Sequence, residues 1–494
     1  MTTSFNHDDP SILWIGADAP DVGCTGTFEN PYSTIETALD RVKPGQTIVL
    51  TRGEYVGDCN IQRSGTPRNP IRIVAEEPGK VIISKACWFF YDTSDLIVSG
   101  LTFVQAPHGA LTLIGTCNRN RFDSLRFIDC GNRADSGCTF YMGGAGGGCN
   151  VIEECSFEMN SDPIPAKHHS AATVALMIAR GDVENSKVIV DDVIRRNTFA
   201  GYDYGIIAGN DESPAVRCGH VIEYNRFDSC TREGIIVKSG DVTVKGNLFS
   251  NCTGHAITVR SDLDCTVEDN RVIGAATGII LQGKGHTVAN NCLIRCTATG
   301  IHVQGTSESA PAPGAALNCF IEHNSIIRPE SPDSDSPQDT AAILIDTGTS
   351  GILQQNLIAG HGKPYIITAD NGRTEEPTHF IMKDNGITTG CAQAEGTVSV
   401  AAEFTDASAD DYGTDGTYGA SGWVVRPECF DPHLDDAESG SDYRDDALFT
   451  DENGELHIPG EDDADNPFGK YISNARQLDD ESGHDEMQYW YPDE

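Results

Sequence analysis

Long apolar segments and basic residues are both scarce in this 494-residue chain. No apolar run approaches the length of about 18 residues that a membrane-spanning helix needs. The first residues, MTTSFNHDDPSILW, lack the basic start followed by an apolar stretch that marks a secretory signal peptide. These absences predict a protein that does not insert into a membrane. Secretion by another route, a cytoplasmic location and incorporation into a virion all remain open.

The scarcity of basic residues gives the chain a strong negative charge. Lysine and arginine number 34 against 74 aspartates and glutamates, for a net charge of −40 at pH 7. Such a surface repels nucleic acid and anionic membranes, so we expect no nucleic-acid partner. It also repels an anionic polysaccharide, unless salt screens the charge or a local basic patch overrides it. This balance is typical of halophilic proteins, which are adapted to salt.

Aromatic residues are few as well, at 7%, whereas the chain holds 51 glycines. That composition favours many short strands and tight turns over long helices. The 17 cysteines are an odd number in a chain too large to need a disulfide framework. Most of them occupy apolar positions of the repeat described below, so we expect buried free thiols.

A repeat is the strongest signal in the sequence. Segments of one pattern, an asparagine followed by apolar residues, begin at Asn225, Asn247, Asn270 and Asn291, with steps of 22, 23 and 21 residues. Fainter copies begin at Asn197, Asn324, Asn356 and Asn385. A fixed period in this range marks stacked supersecondary units. Leucine-rich repeats share such a period, but their fixed leucine pattern is missing here.

Within each unit the apolar runs are short, rich in Ile and Val, and bounded by Gly, Asn, Asp or Ser. The sequence therefore predicts an all-β protein: a single right-handed parallel β-helix with coils of roughly 22 residues. Equivalent residues of successive coils then stack directly. We expect a ladder of hydrogen-bonded asparagines at the turns. We also expect two inward columns: Phe227, Phe249, Val272 and Leu293 in one, and Cys230, Cys252 and Cys296 in the other.

The repeat divides the chain into three parts. Residues 1–46 form the entry, with a capping helix at Ser33–Val42 in which Ser33 and Glu36 have capping-box spacing. Residues 47–395 form the β-helix, with early strands at Thr47–Leu50, Ile71–Val74 and Leu96–Val98. Residues 396–494 form an acidic C-terminal region, partly ordered, which could hold a strand pair within 446–458.

Four coils share one strand pattern, GIIVKS, AITVRS, GIILQG and GIHVQG. Their fifth positions are Lys238, Arg260, Gln282 and Gln304, at steps of 22 residues, and these predict one column on one face. Two adjacent cations persist when solvent screens them or when an anion lies between them. In the functional interpretation a substrate carboxylate lies there, and Arg260 favours the neutral form of Lys238 that a general base needs. The alternative is an exposed basic pair.

Five residues before each cation lies a second column, which begins with Glu233 and His255. Glu233 has three interpretations: it binds a metal, it orients Lys238, or it forms a surface salt bridge. His255 is a ligand-binding residue, a proton donor or an ordinary surface histidine. We predict that His255, Gln282 and Gln304 contact the substrate.

The stretch Glu233–Gly274, with its Glu, Lys-Ser and Arg at these spacings, resembles the catalytic coils of polysaccharide lyase family six. That family includes chondroitinase B and many alginate lyases, which have a pectate-lyase-like β-helix. Residues Ser64–Ile83 also resemble its N-terminal coils. The resemblance implies β-elimination on a uronate-containing glycan, an anionic polysaccharide. Lys238 would be the base and Arg260 the acid, with a calcium ion on the uronate carboxylate.

In the resemblance, Glu233 and Asp203 would hold the calcium ion. Thr231 stands where the family has a second acidic ligand to calcium. Tyr204 stands near the position where the family has an Asn or Glu ligand. With these ligands replaced, we expect weak or absent calcium binding. The oligomeric state is open.

Two other functions remain open. One is a non-catalytic glycan-binding or adhesion module, such as a viral tail fibre or spike. The other is a β-helix glycoside hydrolase or epimerase. Gly360-His361-Gly362 resembles the polygalacturonase family, and Asp431-Pro432-His433 resembles alginate epimerases.

Overall fold

The computed structural model describes residues 5–20, 22–131, 137–144, 146–160, 172–179, 181–182, 187–209, 216–306, 314–328, 341–361, 363–368, 379–387, 394, 397–399, 420, 449–450 and 456–457. The chain divides into two compact units, Met1–Leu434 and Asp435–Glu494. Over these residues the regular secondary structure of the first unit is mainly parallel strands, with one α-helix at Ile35–Leu39. None of the described helical residues forms a helix long and apolar enough to cross a membrane.

Three long parallel sheets have their described strands between Ile12 and Ser399, and successive coils visit them in the order sheet 1, sheet 2, sheet 3. The strands of sheet 1 are Ile12–Ile15, Thr47–Leu50, Ile71–Ala75, Leu96–Ser99, Arg121–Asp123, Val151–Glu153, Val193–Arg195, Val221–Glu223, Thr243–Lys245, Thr266–Glu268, Thr287–Ala289, Cys319–Glu322, Ser350–Gln354 and His379–Lys383. The strands of sheet 2 are Gly53–Val56, Val81–Ser84, Thr102–Val104, Arg126–Ile128, Ser156–Glu158, Thr198–Ala200, Arg226–Asp228, Leu248–Ser250, Arg271–Ile273, Cys292–Ile294, Ser325–Ile327, Leu357–Ala359, Asn385–Ile387 and Thr397–Ser399.

Sheet 3 carries the predicted site. Its strands are Cys59–Ile61, Trp88–Tyr91, Leu111–Ile114, Gly137–Met142, Thr173–Ile178, Tyr204–Ala208, Glu233–Val237, His255–Ser261, Thr277–Gly283, Thr299–Val303, Ala341–Asp346 and Lys363–Thr368. A smaller sheet joins Thr116–Asn118, Gly146–Gly148, Lys187–Val190 and Gly181–Asp182. The predicted parallel β-helix is therefore confirmed.

The core lies inside the coils, where like residues stack on like. The predicted column is confirmed: Phe227 pairs with Phe249, Phe249 with Val272, and Val272 with Leu293, all fully buried. The Phe227 and Phe249 rings are stacked, with centroids 4.7 Å apart. The predicted cysteine slot is also buried, and every cysteine in the described parts of the chain is a free thiol.

The predicted asparagine ladder closes one corner of every coil from Asn197 onward. The side-chain amide of each asparagine donates to the side-chain oxygen of the asparagine one coil later, over 2.9–3.0 Å. The ladder runs through Asn197, Asn225, Asn247, Asn270, Asn291, Asn324, Asn356 and Asn385. Because these residues are buried, the ladder satisfies polar groups at a sharp turn of the backbone.

The N-terminal helix differs in detail from the prediction. It spans Ile35–Leu39, and its N-cap is Thr34, whose hydroxyl accepts from the Thr37 amide. The capping box at Ser33 is therefore wrong, because the helix begins one residue later. The apolar side of the helix packs into the core, while its capping role stays a prediction. The coils begin before residue 47, since Ile12–Ile15 pairs with Thr47–Leu50.

The second compact unit contains an antiparallel pair, Phe449–Thr450 with Leu456–His457. This confirms the strand pair predicted within residues 446–458. Most of the predicted acidic region 396–494 lies outside the described residues.

Candidate functional site

The predicted column lies on the outward face of sheet 3. Val237 and Val259 are fully buried, so Lys238 and Arg260, the next residues along their strands, point outward. Arg260 pairs in register with Gln282, and its Nε donates to the Gln282 side-chain oxygen over 3.1 Å. Gln282 is only 5% exposed, whereas Gln304 is more open. Gln282 thus lies beneath the arginine and fixes its direction.

The second predicted column lies beside the first. Glu233 pairs in register with His255, and His255 with Thr277. Gly234 makes this possible, because a Cβ there would lie 2.5 Å from the Phe249 ring. The close approach of the backbone to the stacked phenylalanines leaves Glu233 on the outer side.

The Glu233 carboxylate lies among cations. It accepts a hydrogen bond from the Thr258 hydroxyl over 3.4 Å. Burial raises the pKa of Glu233 above its usual value, and the Thr258 hydrogen bond opposes that rise. So do the positive charges of Lys238, Arg260 and Arg232. The carboxylate therefore lies within electrostatic reach of three positive side chains.

Sequence reasoning overlooked Arg232. Its guanidinium lies over the Tyr204 ring, 5.7 Å from the centroid, and donates to the Tyr204 hydroxyl over 3.3 Å. Tyr204 pairs in register with Glu233 on the next coil. An arginine directly before the predicted glutamate was the available signal, but a cation in a turn is too common to single out.

The predicted metal ligands were Glu233 and Asp203, and they lie on adjacent coils. One carboxylate oxygen of Asp203 accepts from the Thr231 hydroxyl, and the other accepts from the Thr173 amide over 2.9 Å. Among the residues that the structure describes, no group of three or more His, Cys, Asp or Glu side chains could hold a metal ion. The donor set is therefore poor for calcium, which takes six to eight oxygens.

Two histidines lie near each other on this face. Burial lowers the pKa of His255, and the charge of His302 lowers it further. The buried Nδ1 of His255 has no hydrogen-bond partner in the described part of the chain. His302 was not predicted; its Nε2 lies 3.2 Å from a carboxylate oxygen of Asp346, which also accepts from the Gly305 amide. His302 occupies the position that Thr258 and Ile280 hold in the two preceding coils, and a histidine at that position of the repeat was the available signal.

The histidine of the polygalacturonase-like motif lies elsewhere. His361 is 2% exposed, and burial lowers its pKa to about 4. It is therefore a neutral core residue and does not line the outward face of sheet 3. Residues 431–433 lie outside the described part of the chain.

Comparison with known proteins agrees with this architecture. The family model described as "Right handed beta helix region" matches residues 183–358. No curated protein matches the chain in sequence. The structure of the PL6 family alginate lyase AlyGC is similar at a TM-score of 0.62 and 17% identity, over 85% of this chain and 58% of that one. This chain thus spans little more than half the length of AlyGC.

Two further solved structures each match at a TM-score of 0.55. One is a mannuronic acid specific polysaccharide family 6 lyase from human gut microbiota, 18% identical over 79% of this chain and 91% of that one. The other is the PL6 family polysaccharide lyase Pedsa3628 from Pseudopedobacter saltans, 16% identical over 77% of this chain and 96% of that one. At such identities the likeness establishes the fold, and this chain is a right-handed parallel β-helix of the kind these polysaccharide lyases have.

Proposed function

We propose that this protein cleaves a uronate-containing glycan by β-elimination, with Lys238 as the base and Arg260 at the leaving oxygen. The observation that carries the proposal is the outward cation pair on adjacent coils, placed there by the pairing of Val237 with Val259, with the Glu233 carboxylate within reach of both charges. In a chain with a net charge of −40, such a pair is the kind of local basic patch that an anionic substrate requires. The fold shared with polysaccharide lyases supports the same reaction class.

The chemistry assigns one task to each residue. Lys238 takes the proton from C5 of the uronate, and the electrons of that C–H bond form the C4–C5 double bond. The C4–O bond breaks, and Arg260 donates to the leaving oxygen as its charge develops. The hydrogen bond from Arg260 to Gln282 fixes the direction of the guanidinium. Glu233 lies where it can orient the Lys238 amine.

Hydrolysis fits this face less well. A β-helix hydrolase needs two carboxyl groups about 5–9.5 Å apart. The strands of sheet 3 contain two carboxylates in the described residues, Glu233 and Asp346. Four coil steps separate them, or roughly 19 Å at a spacing of about 4.8 Å. Asp203 lies closer to Glu233, but both of its carboxylate oxygens already accept hydrogen bonds, from Thr231 and Thr173. We therefore favour elimination over hydrolysis.

The test measures unsaturated product on a panel of alginate, glycosaminoglycans and pectin. We expect product on at least one polymer, and Lys238→Ala should lower kcat by about 10²–10⁴-fold, the usual contribution of a positioned general base. Gln304→Ala should raise KM with little change in kcat. Lys80→Ala is the matched control, because it removes an exposed lysine that is distant from Lys238 in the sequence. It should leave the rate unchanged.

The result also decides between catalysis and binding. If the wild type and Lys238→Ala release product equally fast, the mechanism is wrong. If the wild type binds a uronate polymer but releases no product from any member of the panel, the non-catalytic glycan-binding alternative replaces the lyase proposal.

A further inference from the structure

We infer that Arg232 neutralises the substrate carboxylate in this protein, taking the part that a calcium ion would play according to the family resemblance. The inference rests on the proposed function and adds a catalytic residue to it. Its basis is the position of the Arg232 guanidinium at Tyr204, beside Glu233, together with a donor set unsuited to a metal ion.

β-Elimination at a uronate requires a positive charge on the carboxylate. The C5 proton is acidic only when the neighbouring carboxylate is neutralised and the developing enolate is stabilised. Lys238 cannot serve both purposes, since a base must be neutral when it accepts the proton. Arg260 is committed to the leaving oxygen. The reaction therefore needs a further cation on the same face.

The residues of the predicted metal slot do not supply one. Both carboxylate oxygens of Asp203 already accept hydrogen bonds, from Thr231 and Thr173. Glu233 accepts from Thr258, and its surroundings are positive. A divalent cation placed there would meet the charges of Arg232, Lys238 and Arg260. These positive charges offset those of Glu233 and Asp203, so the slot lacks the excess of negative charge that a divalent cation needs.

Arg232 is built to meet the substrate carboxylate. Tyr204 holds the guanidinium in two ways, with its ring centroid 5.7 Å from the guanidinium carbon and its hydroxyl accepting one N–H. The guanidinium of an arginine stays charged at every working pH. A guanidinium can present two parallel N–H groups to a carboxylate, a geometry that the point charge of lysine lacks. The side chain is exposed, so substrate can reach it.

The strand geometry allows one sugar to meet both ends of the site. Arg232 and Lys238 are six residues apart, which is roughly 20 Å along an extended strand. Both side chains are long, and the Glu233 carboxylate is within the reach of both charges. We expect the two side chains to meet one sugar between them, Arg232 at the carboxylate and Lys238 at C5.

The first test compares Arg232→Gln with Arg232→Lys and with the control Arg226→Gln, an exposed arginine on a strand of sheet 2. We expect Arg232→Gln to lower kcat/KM by about 10–10²-fold, less than the loss at a fully enclosed oxyanion site. Arg232→Lys should recover part of that loss, because it keeps the charge. Arg226→Gln should match the wild type. If Arg232→Gln keeps full kcat/KM while Lys238→Ala loses it, the inference is overturned and the lyase proposal stands.

The second test removes divalent cations. The wild type treated with a chelator should keep its rate, and added calcium should not rescue Arg232→Gln. A chelator that abolishes the wild-type activity, with calcium restoring it, overturns the inference and again leaves the lyase proposal intact.

A binding measurement separates the inference from the proposed function. Calorimetry in the Lys238→Ala background compares a uronate trisaccharide with its carboxyl-reduced form. The Arg232→Gln change should weaken binding of the first by about tenfold and leave the second unchanged. This readout applies even if the wild type proves inactive, and equal binding of the charged trisaccharide by both proteins would overturn the inference.

Discussion

A buried carboxylate in the solenoid gives a sharp prediction about stability. Asp192 is fully buried at a corner of its coil and continues a short ladder from Asn120 and Asn150. One carboxylate oxygen accepts from Asn150 over 2.9 Å, and the other lies 3.6 Å from Nδ1 of the buried His220. That Nδ1 already accepts from the Asp192 amide, so it is poorly placed to donate.

Burial is the main cause that raises the pKa of Asp192 from 3.8 to about 7. The pKa of Asp192 in the folded protein lies above its pKa in the unfolded chain. The stability that protonated Asp192 contributes is therefore fully present below about pH 4 and is lost as the pH rises to about 7. The difference corresponds to about 4 kcal/mol at most, since one pKa unit equals about 1.4 kcal/mol. Asp192→Asn removes the charge and keeps the ladder acceptor.

We therefore expect Asp192→Asn to stabilise the protein at pH values near 8 and to make little difference near pH 4. Burial lowers the pKa of His220 to about 4, so Asp192→Asn should lose stability as the pH falls from 6.5 toward 4, whereas in the wild type the protonation of Asp192 should offset that loss. The assay is denaturant unfolding of both proteins across this range, with the exposed Asp8→Asn as control. A variant that is less stable than the wild type at high pH, or a gain that does not depend on pH, would refute the reasoning.

Three further predictions follow from the same structure. Phe227→Ala should lower the free energy of unfolding by about 3–5 kcal/mol, as measured in denaturant, because the ring is fully buried and stacked on both sides; an effect below about 1 kcal/mol would contradict the stacked core. Gln282→Ala should lower kcat more than it changes KM in steady-state kinetics, because Gln282 directs Arg260 and is itself buried, and an unchanged kcat would contradict that role. KM for a uronate polymer should fall as salt rises from about 0.01 to 0.1 M. The Debye length shrinks from about 30 to 10 Å, so salt screens the long-range repulsion between the acidic protein and the anionic polymer. A rising KM would mean that attraction by the local cations dominates instead.

The fold was predictable because every coil repeats the same residue pattern. Each asparagine that begins a repeat unit is a ladder member, and the faint copies at Asn197 and Asn385 proved to be as regular as the strong ones. Period and register together placed Arg260 beside Gln282. The helix start was misjudged by one residue, since Ser33 and Thr34 are both good N-caps and only the backbone distinguishes them.

The site was less predictable, because its key contacts cross from turns to strands. The repeat predicts which residues share a column, and that placed Glu233 beside His255. It does not predict how a long side chain lies in a turn, so Arg232 over Tyr204 escaped notice. The pairing of His302 with Asp346 is of the same kind, since the two residues lie 44 positions apart across an insertion.

The central claim is that the glycan is broken by elimination, and the most direct test is the mass spectrum of products formed in heavy-oxygen water. Elimination takes no oxygen from water, so the account predicts unlabelled products that carry a C4–C5 double bond at the new non-reducing end. Their formation should slow by about 10²–10⁴-fold in Lys238→Ala. Saturated products that carry the heavy oxygen would show hydrolysis and contradict the account, as would the absence of any product from every uronate polymer tested.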